Sequence, residues 1–481
     1  MKLPEIIKKI VENSKIALPL IVLLGLILRI IFFSGMGTSD DLLYSRFAHY
    51  LDKGVYLDAD LSLSTRLGII FLTAISYSLF GINDFSSVFF VLASSLAGIV
   101  LVYYFGKLIF DKKTGLIAAF LLSIFPLDIV YSTRLLTDVP SAFLMNLGVY
   151  IFLYNELKMK WRFGSGYLLS GIFIGLGYMI RETILLIGIF FVFYSVYRKK
   201  IKKEYLLVAF GFLMIFAIES SIFYGLTGYP LFRQHASQQA LEYSFVMHDY
   251  FGRLEFPKGL LHYPYIILTG NSPLFYILIF ISIIHFMLQK NKEAYLMLIW
   301  FIPLLLYLSF GTTSLTSYIP LRAVERYLTI ISVPGLLLLA LFLNQNKGIR
   351  GFMPFFLLLL LISSVFFISL RQDKNSLASL RILYNDLQSA DKAIYADERT
   401  IKVFDYISAY NNKLKLIEYP KNFKDVKDAY VIVNKKMLRN VVIANPWLKF
   451  PEEIENPPKN WKITKQVGKE EKDMILVYHI L

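Results

Sequence analysis

Long apolar blocks separated by short basic connections constrain this sequence more than any other feature. Ile16–Phe33, Phe85–Phe105 and Phe352–Leu370 are three such blocks. A helix crosses a bilayer core with roughly 20 apolar residues, and the blocks match that length. The composition agrees: 56% of the 481 residues are hydrophobic and 18% charged, against about a quarter charged in a soluble domain. The expected class is an all-α polytopic membrane protein. Its candidate spans are 16–34, 85–108, 114–132, 138–157, 166–181, 183–197, 204–226, 264–288, 294–311, 323–343 and 351–370, about eleven helices of this length.

The formal net charge of +15 does not indicate nucleic acid, because the Lys and Arg residues sit in short runs between apolar blocks. That is the distribution of cytoplasmic loops. The runs at the N-terminus, Lys107–Lys113, Lys158–Arg162, Arg198–Lys203, Lys290–Lys292 and Lys347–Arg350 fall on one side only if the short stretch Leu67–Phe80 does not cross. It is therefore expected to be re-entrant or surface-lying. Met1–Lys15 is polar and lysine-bearing, and the apolar run after it exceeds a signal-peptide core of about 7–15 residues, so an uncleaved first span is expected. Cysteine is absent, which removes disulfide and thiolate chemistry.

With the basic loops inside, the N-terminus is cytoplasmic. Segments 34–66 and 228–263 and everything after Arg371 are extracytoplasmic. Two domains follow, a membrane domain over 1–370 and a soluble one over 371–481. In the tail, Leu377, Leu380, Leu383, Tyr384 and Leu387 recur at helical spacing. Lys392–Ala396, Lys415–Tyr419, Ala429–Val433, Trp461–Lys465 and Met474–His479 read as strands, with a helix over Thr400–Tyr410. This is a small α/β domain with no catalytic motif, suited to a lid or a partner-binding module.

Candidate chemistry gathers at the outer ends of the spans. Asp40 and Asp41 open an amphipathic stretch whose Leu43, Phe47, Tyr50 and Leu51 share a helical face. A carboxylate there is either a helix cap or a general base that takes a proton from an acceptor hydroxyl. Asp138, in Arg134-Leu-Leu-Thr-Asp138-Val-Pro140, divides in the same way between cap and site. Arg181 and Glu182 stand between two apolar blocks, where charge needs a partner. They pair with each other, or Arg181 grips a lipid phosphate. Arg322 and Arg326 are further phosphate candidates, or interfacial anchors. His235, His248, Asp249, Arg253 and His262 lie in the long loop with no metal-ligand spacing.

The run Asp40-Asp41-Leu-Leu-Tyr44-Ser-Arg-Phe-Ala48-His-Tyr-Leu51-Asp-Lys-Gly54 resembles the first-loop signature of the protein mannosyltransferase-like families of the GT-C superfamily, a set that includes the aminoarabinose transferase group. Leu79-Phe80-Gly81, Asp111–Gly115, Ser123-Ile-Phe-Pro126, Ser132-Thr-Arg134, Thr137-Asp138 and Glu325-Arg326-Tyr327-Leu328 follow in that family's order. The likeness spans roughly Ile16 to Leu343.

The resemblance implies a GT-C membrane fold with an extracytoplasmic C-terminal domain, in the plasma membrane. It implies inverting transfer of a sugar from a polyprenyl- or dolichyl-phosphate carrier to a hydroxyl of a protein, lipid or glycan, as in cell-envelope or protein glycosylation. Asp40 would be the base, Asp41 its neighbour and Asp138 the second-loop carboxylate. Arg181 would meet the carrier phosphate, and Glu182, Tyr44 and Glu325 are further candidates. No metal ligand is identified, and a divalent cation is the one candidate cofactor. Ser64-Thr65-Arg66-Leu67 departs from the family, where a proline pair or Glu-Lys-Pro often stands. The Trp-Trp-Asp-Tyr-Gly motif of oligosaccharyltransferases is absent. A transporter or lipid flippase is the main alternative, with Arg29 and Asp128 as its best residues, and a non-catalytic scaffold the second.

Overall fold

A computed structural model describes residues 13–51, 62–158, 164–199, 201–247, 258–313, 318, 320, 321, 323–371, 377–444, 449–468 and 474–481. The chain is mostly helical. Its helical part runs α1 (Ser14–Ile31), α2 (Asp40–Tyr50), α3 (Leu67–Phe80), α4 (Asp84–Ile109), α5 (Lys112–Ser123), α6 (Pro126–Ser132), α7 (Asp138–Leu157), α8 (Ser165–Ile180), α9 (Ile187–Arg198), α10 (Leu206–Thr227), α11 (Phe232–Met247), α12 (Lys258–Thr269), α13 (Pro273–Leu288), α14 (Tyr295–Phe310), α15 (Thr329–Gln345) and α16 (Met353–Arg371). The tail adds α17 (Ala378–Leu387), β1 (Ile394–Ala396), α18 (Glu398–Ile407), β2 (Leu416–Glu418), β3 (Ala429–Asn434), α19 (Lys435–Ala444), β4 (Trp461–Val467) and β5 (Ile475–Ile480).

This is a multi-pass membrane protein. A helix stands at each expected span, but by length and apolarity five among the described residues qualify as crossings. They are Ser14–Ile31, Asp84–Ile109, Lys203–Thr227, Glu325–Gln345 and Met353–Arg371. Counting α5 and α6 as one span bent by 53° makes six. Four shorter apolar helices, α3, α8, α13 and α14, accompany them.

Two expected spans are broken. Pro126 begins α6 at its first turn, where a missing N–H is tolerated and α5 has just ended. Pro273 does the same for α13, so the span expected over 264–288 is two helices joined at Gly270–Ser272. The 14 residues of α3 are about 21 Å long, short of a bilayer core.

Close backbone approach holds the bundle together where small residues permit it. A methyl on Gly171 of α8 would strike the Val208 carbonyl of α10, and one on Gly211 would strike that of Leu168. In lipid, packing of this kind replaces the hydrophobic drive between helices. Helix α15 is the axis of the core, with all its residues from Thr329 to Leu343 buried.

The charges within the bundle form a closed knot. Arg29, 0% exposed, pairs with Asp128 at 2.5 Å. It also donates to Ser95 Oγ at 2.7 Å and to the carbonyls of Gly25 and Ser123 at 2.8 and 3.1 Å. All three guanidinium nitrogens are thereby used, which makes the pair a clamp joining α1, α4, α5 and α6.

The tail carries a five-stranded sheet in the order β2-β1-β3-β5-β4. β1 runs parallel to β2 and β3, whereas β5 is antiparallel to β3 and β4. All five strands and the helices α17 and α18 stand where the alternation and spacing put them; α19 was not foreseen.

The tail is joined to the membrane part more closely than a detachable lid would be. One apolar core contains Leu42, Tyr44 and Phe47 of α2, Ile69 and Ile70 of α3, and Leu380, Leu383, Val403, Phe404 and Val477 of the tail. A chain of hydroxyls runs alongside it. Tyr410 Oη donates to Ser45 Oγ at 2.8 Å, and Ser45 Oγ and Tyr77 Oη lie 2.6 Å apart. Tyr77 and Ser87 lie 2.8 Å apart, Ser87 and Tyr406 3.1 Å, and Tyr406 Oη donates to Asp84 at 2.8 Å. Arg381 closes the chain on Asp84 at 2.6 Å. A protein ending at Arg371 would bare this core. It is expected to aggregate on extraction, with no monodisperse peak by size-exclusion chromatography in a detergent that keeps the full chain monodisperse.

Candidate functional site

The first loop and the ends of α6–α7, α8–α9, α10–α11 and α14–α15 meet at one end of the bundle, beside the tail. Asp40 is the first residue of α2, and its Oδ2 accepts from Arg326 Nη1 at 3.1 Å. Burial acts to raise the Asp40 carboxyl, but the guanidiniums of Arg326, Arg66 and Arg181 outweigh it and hold the group below its ordinary value. Asp40 is therefore ionised throughout the neutral range.

Its neighbour behaves differently. Asp41 is turned into the loop, where it accepts from the backbone amides of Gly37, Ser39 (3.0 Å) and Leu42 (3.2 Å). Successive helical residues point about 100° apart. One carboxylate of the pair thus faces the arginines and the other fastens the turn that carries it. Burial raises the Asp41 carboxyl against those amides.

Asp138 and Arg181, expected as catalytic carboxylate and phosphate ligand, meet each other. Arg181 Nη1 lies 2.5 Å from Asp138 Oδ1, with the side chains 3% and 1% exposed. The guanidinium also donates to Thr137 Oγ1 at 3.0 Å and stacks 4.7 Å from the Tyr327 ring centre. Asp138 Oδ2 and Arg181 Nε remain buried without partners. Thr137, the residue before α7, makes no side-chain cap.

Arg181 and Glu182 do not pair with each other. Arg181 is in extended backbone (φ −157°, ψ 135°), which sends neighbouring side chains apart. Glu182 meets Arg233 at 2.9 Å and Arg66 at 3.4 Å. Arg233, 1% exposed, also pairs with Glu219 of α10 at 2.5 Å and lies 4.4 Å from the Tyr178 ring centre. Arg66 donates to Tyr44 Oη as well. Glu325 accepts from the backbone and side chain of Asn271, the latter at 2.5 Å, and so holds the α12–α13 break.

Arg322, His248, Asp249 and Arg253 lie outside the described residues. His235 is exposed, at an edge contact with Tyr229. Among the described residues, no three His, Cys, Asp or Glu side chains converge as a metal site would require.

Three participants were not singled out from the sequence: Arg66, Arg233 and Glu219. Glu219 had a signal, a carboxylate in a 22-residue apolar helix, where charge is expensive and needs a partner. Arg66 stood in the stretch that departs from the family pattern.

The comparisons with known proteins follow this geometry. Residues 67–223 match the family described as dolichyl-phosphate-mannose-protein mannosyltransferase. ArnT from Cupriavidus metallidurans, in the apo state, superposes with a TM-score of 0.58 at 12% identity over 96% of this chain and 97% of its own. The same protein bound to undecaprenyl phosphate gives 0.57 at 11% identity, over 96% and 97%. The Archaeoglobus fulgidus oligosaccharyltransferase in its apo form gives 0.58 at 14% identity over 94% of this chain and 74% of its own. No curated protein sequence matches the chain.

Asp138→Ala would leave the Arg181 charge buried alone, which costs about 3–5 kcal/mol. Asp138→Leu combined with Arg181→Met removes both charges and is expected to recover most of that loss. Thermal unfolding in detergent, wild type against the single and double variants, measures the difference.

Proposed function

We propose that this chain, a GT-C protein of the protein-mannosyltransferase-like family, moves a sugar from a polyprenyl-phosphate carrier to a hydroxyl acceptor on the extracytoplasmic side. The observation that carries the reading is Asp40, ionised and 3.1 Å from Arg326, within the field of Arg66 and Arg181. The likeness to a protein crystallised with undecaprenyl phosphate supports the choice of carrier. The basic connections between spans support the orientation, with the Asp40 end outward and the N-terminus inward.

The acceptor oxygen attacks the anomeric carbon from the side opposite the carrier phosphate. The bond from that carbon to the phosphate oxygen breaks, and its electron pair leaves with the phosphate. The acceptor proton passes to the Asp40 carboxylate, and the configuration inverts.

A carboxylate held below its ordinary range is a weak base, and the timing suits it. The hydroxyl becomes strongly acidic only as its new bond forms, so proton transfer falls late. The arginines that weaken Asp40 also stabilise charge developing on the departing phosphate, where preorganised electrostatics contribute most. In this reading Asp138 and Arg181 frame the site, Asp41 and Glu325 hold its loops, and Tyr44 positions Arg66.

The proposal needs no divalent cation. The groups nearest Asp40 are guanidiniums, which already supply the positive charge and would repel a metal. Asp41, the other first-loop carboxylate, is committed to backbone amides. The acceptor is a protein, lipid or glycan hydroxyl.

Asp40→Asn should lower transfer of radiolabelled sugar from lipid carrier by roughly 10²–10⁴-fold, the usual contribution of a general base, while carrier binding stays near wild type. Near-full activity would remove Asp40 from the base role.

The pH profile gives a second test. With the Asp40 carboxyl depressed, the base is present at neutral pH, and kcat should fall only below the ordinary carboxylate range. Burial acts to raise the Asp40 carboxyl and Arg326→Gln removes the largest charge opposing it, so the acid limb of the kcat profile should move to higher pH.

A further inference from the structure

Helices joined by a short turn ordinarily pack on one another as antiparallel neighbours. α9 and α10 are joined by residues 199–205 only, yet they stand apart, and the space between them is a groove of about 840 Å³. α9 leans the other way: Phe190, fully buried, meets Trp300 of α14 with ring centres 5.2 Å apart. α10 is held against α8 by the close approaches at Gly171 and Gly211. Gly188, Val192 and Val196 line the groove from α9, Ile174 from α8, and Val208 and Phe212 from α10. A methyl on Gly188 would meet nothing within 4 Å.

One end of the groove is pinned. Lys202 pairs at 2.6 Å with Glu156 of α7, a carboxylate whose side chain is 0% exposed. Glu156 also accepts from Tyr167 of α8 and from Tyr194 of α9, the latter at 3.3 Å. A single carboxylate thus fixes the turn against three helices, and with it the spacing of α9 and α10.

The lining is mostly apolar, and its charge gathers at that same end. Lys199, in left-handed backbone (φ 49°), ends α9 and reaches the lining. Arg198 and Lys203 flank it. All three are exposed and make no ion pair with any described residue, whereas Lys202 has the Glu156 carboxylate. This end is remote from Asp40, because α9 starts just beyond Glu182 and its 12 residues run about 18 Å away from it.

We propose that the groove is a binding site for an anionic phospholipid of the bilayer, its acyl chains between α9 and α10 and its phosphate on Lys199, Arg198 and Lys203. An apolar cleft capped by unpaired cations is complementary to that molecule. Basic pockets between membrane helices take anionic headgroups, and a lysine stem reaches from apolar surface to charge. Polyprenyl phosphate is the other lipid anion to weigh. The preceding subsection puts its phosphate at the Asp40 end of α9, so in this groove its charge would lie at the wrong end. The phospholipid site therefore stands whether or not the transfer reading does.

The test titrates the purified full chain in detergent with phosphatidylglycerol, phosphatidylcholine of the same chains and undecaprenyl phosphate, read by native mass spectrometry and thermal unfolding. Wild type should retain phosphatidylglycerol over phosphatidylcholine by about 10-fold or more, and should unfold at a higher temperature with it. Arg198→Gln, Lys199→Gln and Lys203→Gln together should remove that preference and leave phosphatidylcholine binding unchanged. Gly188→Phe fills open space, so the lipid-free variant should unfold no earlier than wild type, yet both phospholipids should be lost.

Equal retention of the two phospholipids by wild type would overturn the assignment, as would a preference that survives the triple substitution. Undiminished binding to Gly188→Phe would overturn it too, leaving the basic run a surface anchor only. Displacement of phosphatidylglycerol by equimolar undecaprenyl phosphate would give the groove to the carrier instead.

Discussion

The cost of placing charge in an apolar bundle governs this structure. An unpaired ion at membrane depth is expensive, and pairing is the available remedy. The chain carries several such ions and joins them across long sequence distances. Asp40 and Arg326 are 286 residues apart, and Arg29 and Asp128 are 99 apart. Each pair ties two elements that no local interaction would bring together. The Asp138–Arg181 pair fixes the head of α7 against the end of α8, and Arg233 draws α11 onto α10 and onto the turn after α8. The geometry of the candidate site follows from that requirement before any demand of chemistry is considered.

The same pairs set the reactivity of the site. A carboxylate desolvated alone would rise towards neutrality and lose the charge a base needs, and burial pushes Asp40 in that direction. The arginines that keep it ionised also make it a weaker base. This compromise suits a reaction whose leaving group departs with a negative charge, since one positive field serves both ends of the displacement. It suits a transporter less well. Arg29 and Asp128, the charges the transporter reading would use, are closed on one another and on Ser95, with every nitrogen of the Arg29 guanidinium already engaged.

Much of the fold was legible because its determinants are local. A run of about twenty apolar residues marks a helix wherever it lies, and alternation in the tail located all five strands. The breaks were not legible, because Gly270–Ser272 interrupts a span by only three residues and depends on Glu325, far along the chain, to hold it open. For the candidate site, residue types picked out side chains that the fold gathers at one end of the bundle, but not their partners. Arg181 and Glu182 look like a pair in sequence, and extended backbone at Arg181 parts them. Asp40 and Asp41 look equivalent, and the helical turn between them gives one to the arginines and the other to the loop. Arg66 read as a departure from a family pattern, and only the fold brings it to Tyr44 and Glu182.

Helix α2 shows how far the site depends on structure beyond the helical bundle. It has 11 residues, and isolated helices of that length are marginal in water. Ser39, which precedes it, makes no side-chain cap, so little local interaction holds its start beyond the amides gathered by Asp41. Its stability must come from burial on more than one side, and that is the arrangement found. Tyr44 and Ser45 are fully buried, with Leu42 and Phe47 packed in the core shared by α3 and the tail. Tyr410 reaches in from the tail to hydrogen-bond Ser45 and to stack on His49, ring centres 4.6 Å apart. The helix that positions Asp40 is thus clamped between an apolar helix and the α/β tail. The α/β tail, which carries no catalytic motif of its own, is part of the scaffold that aims the carboxylate.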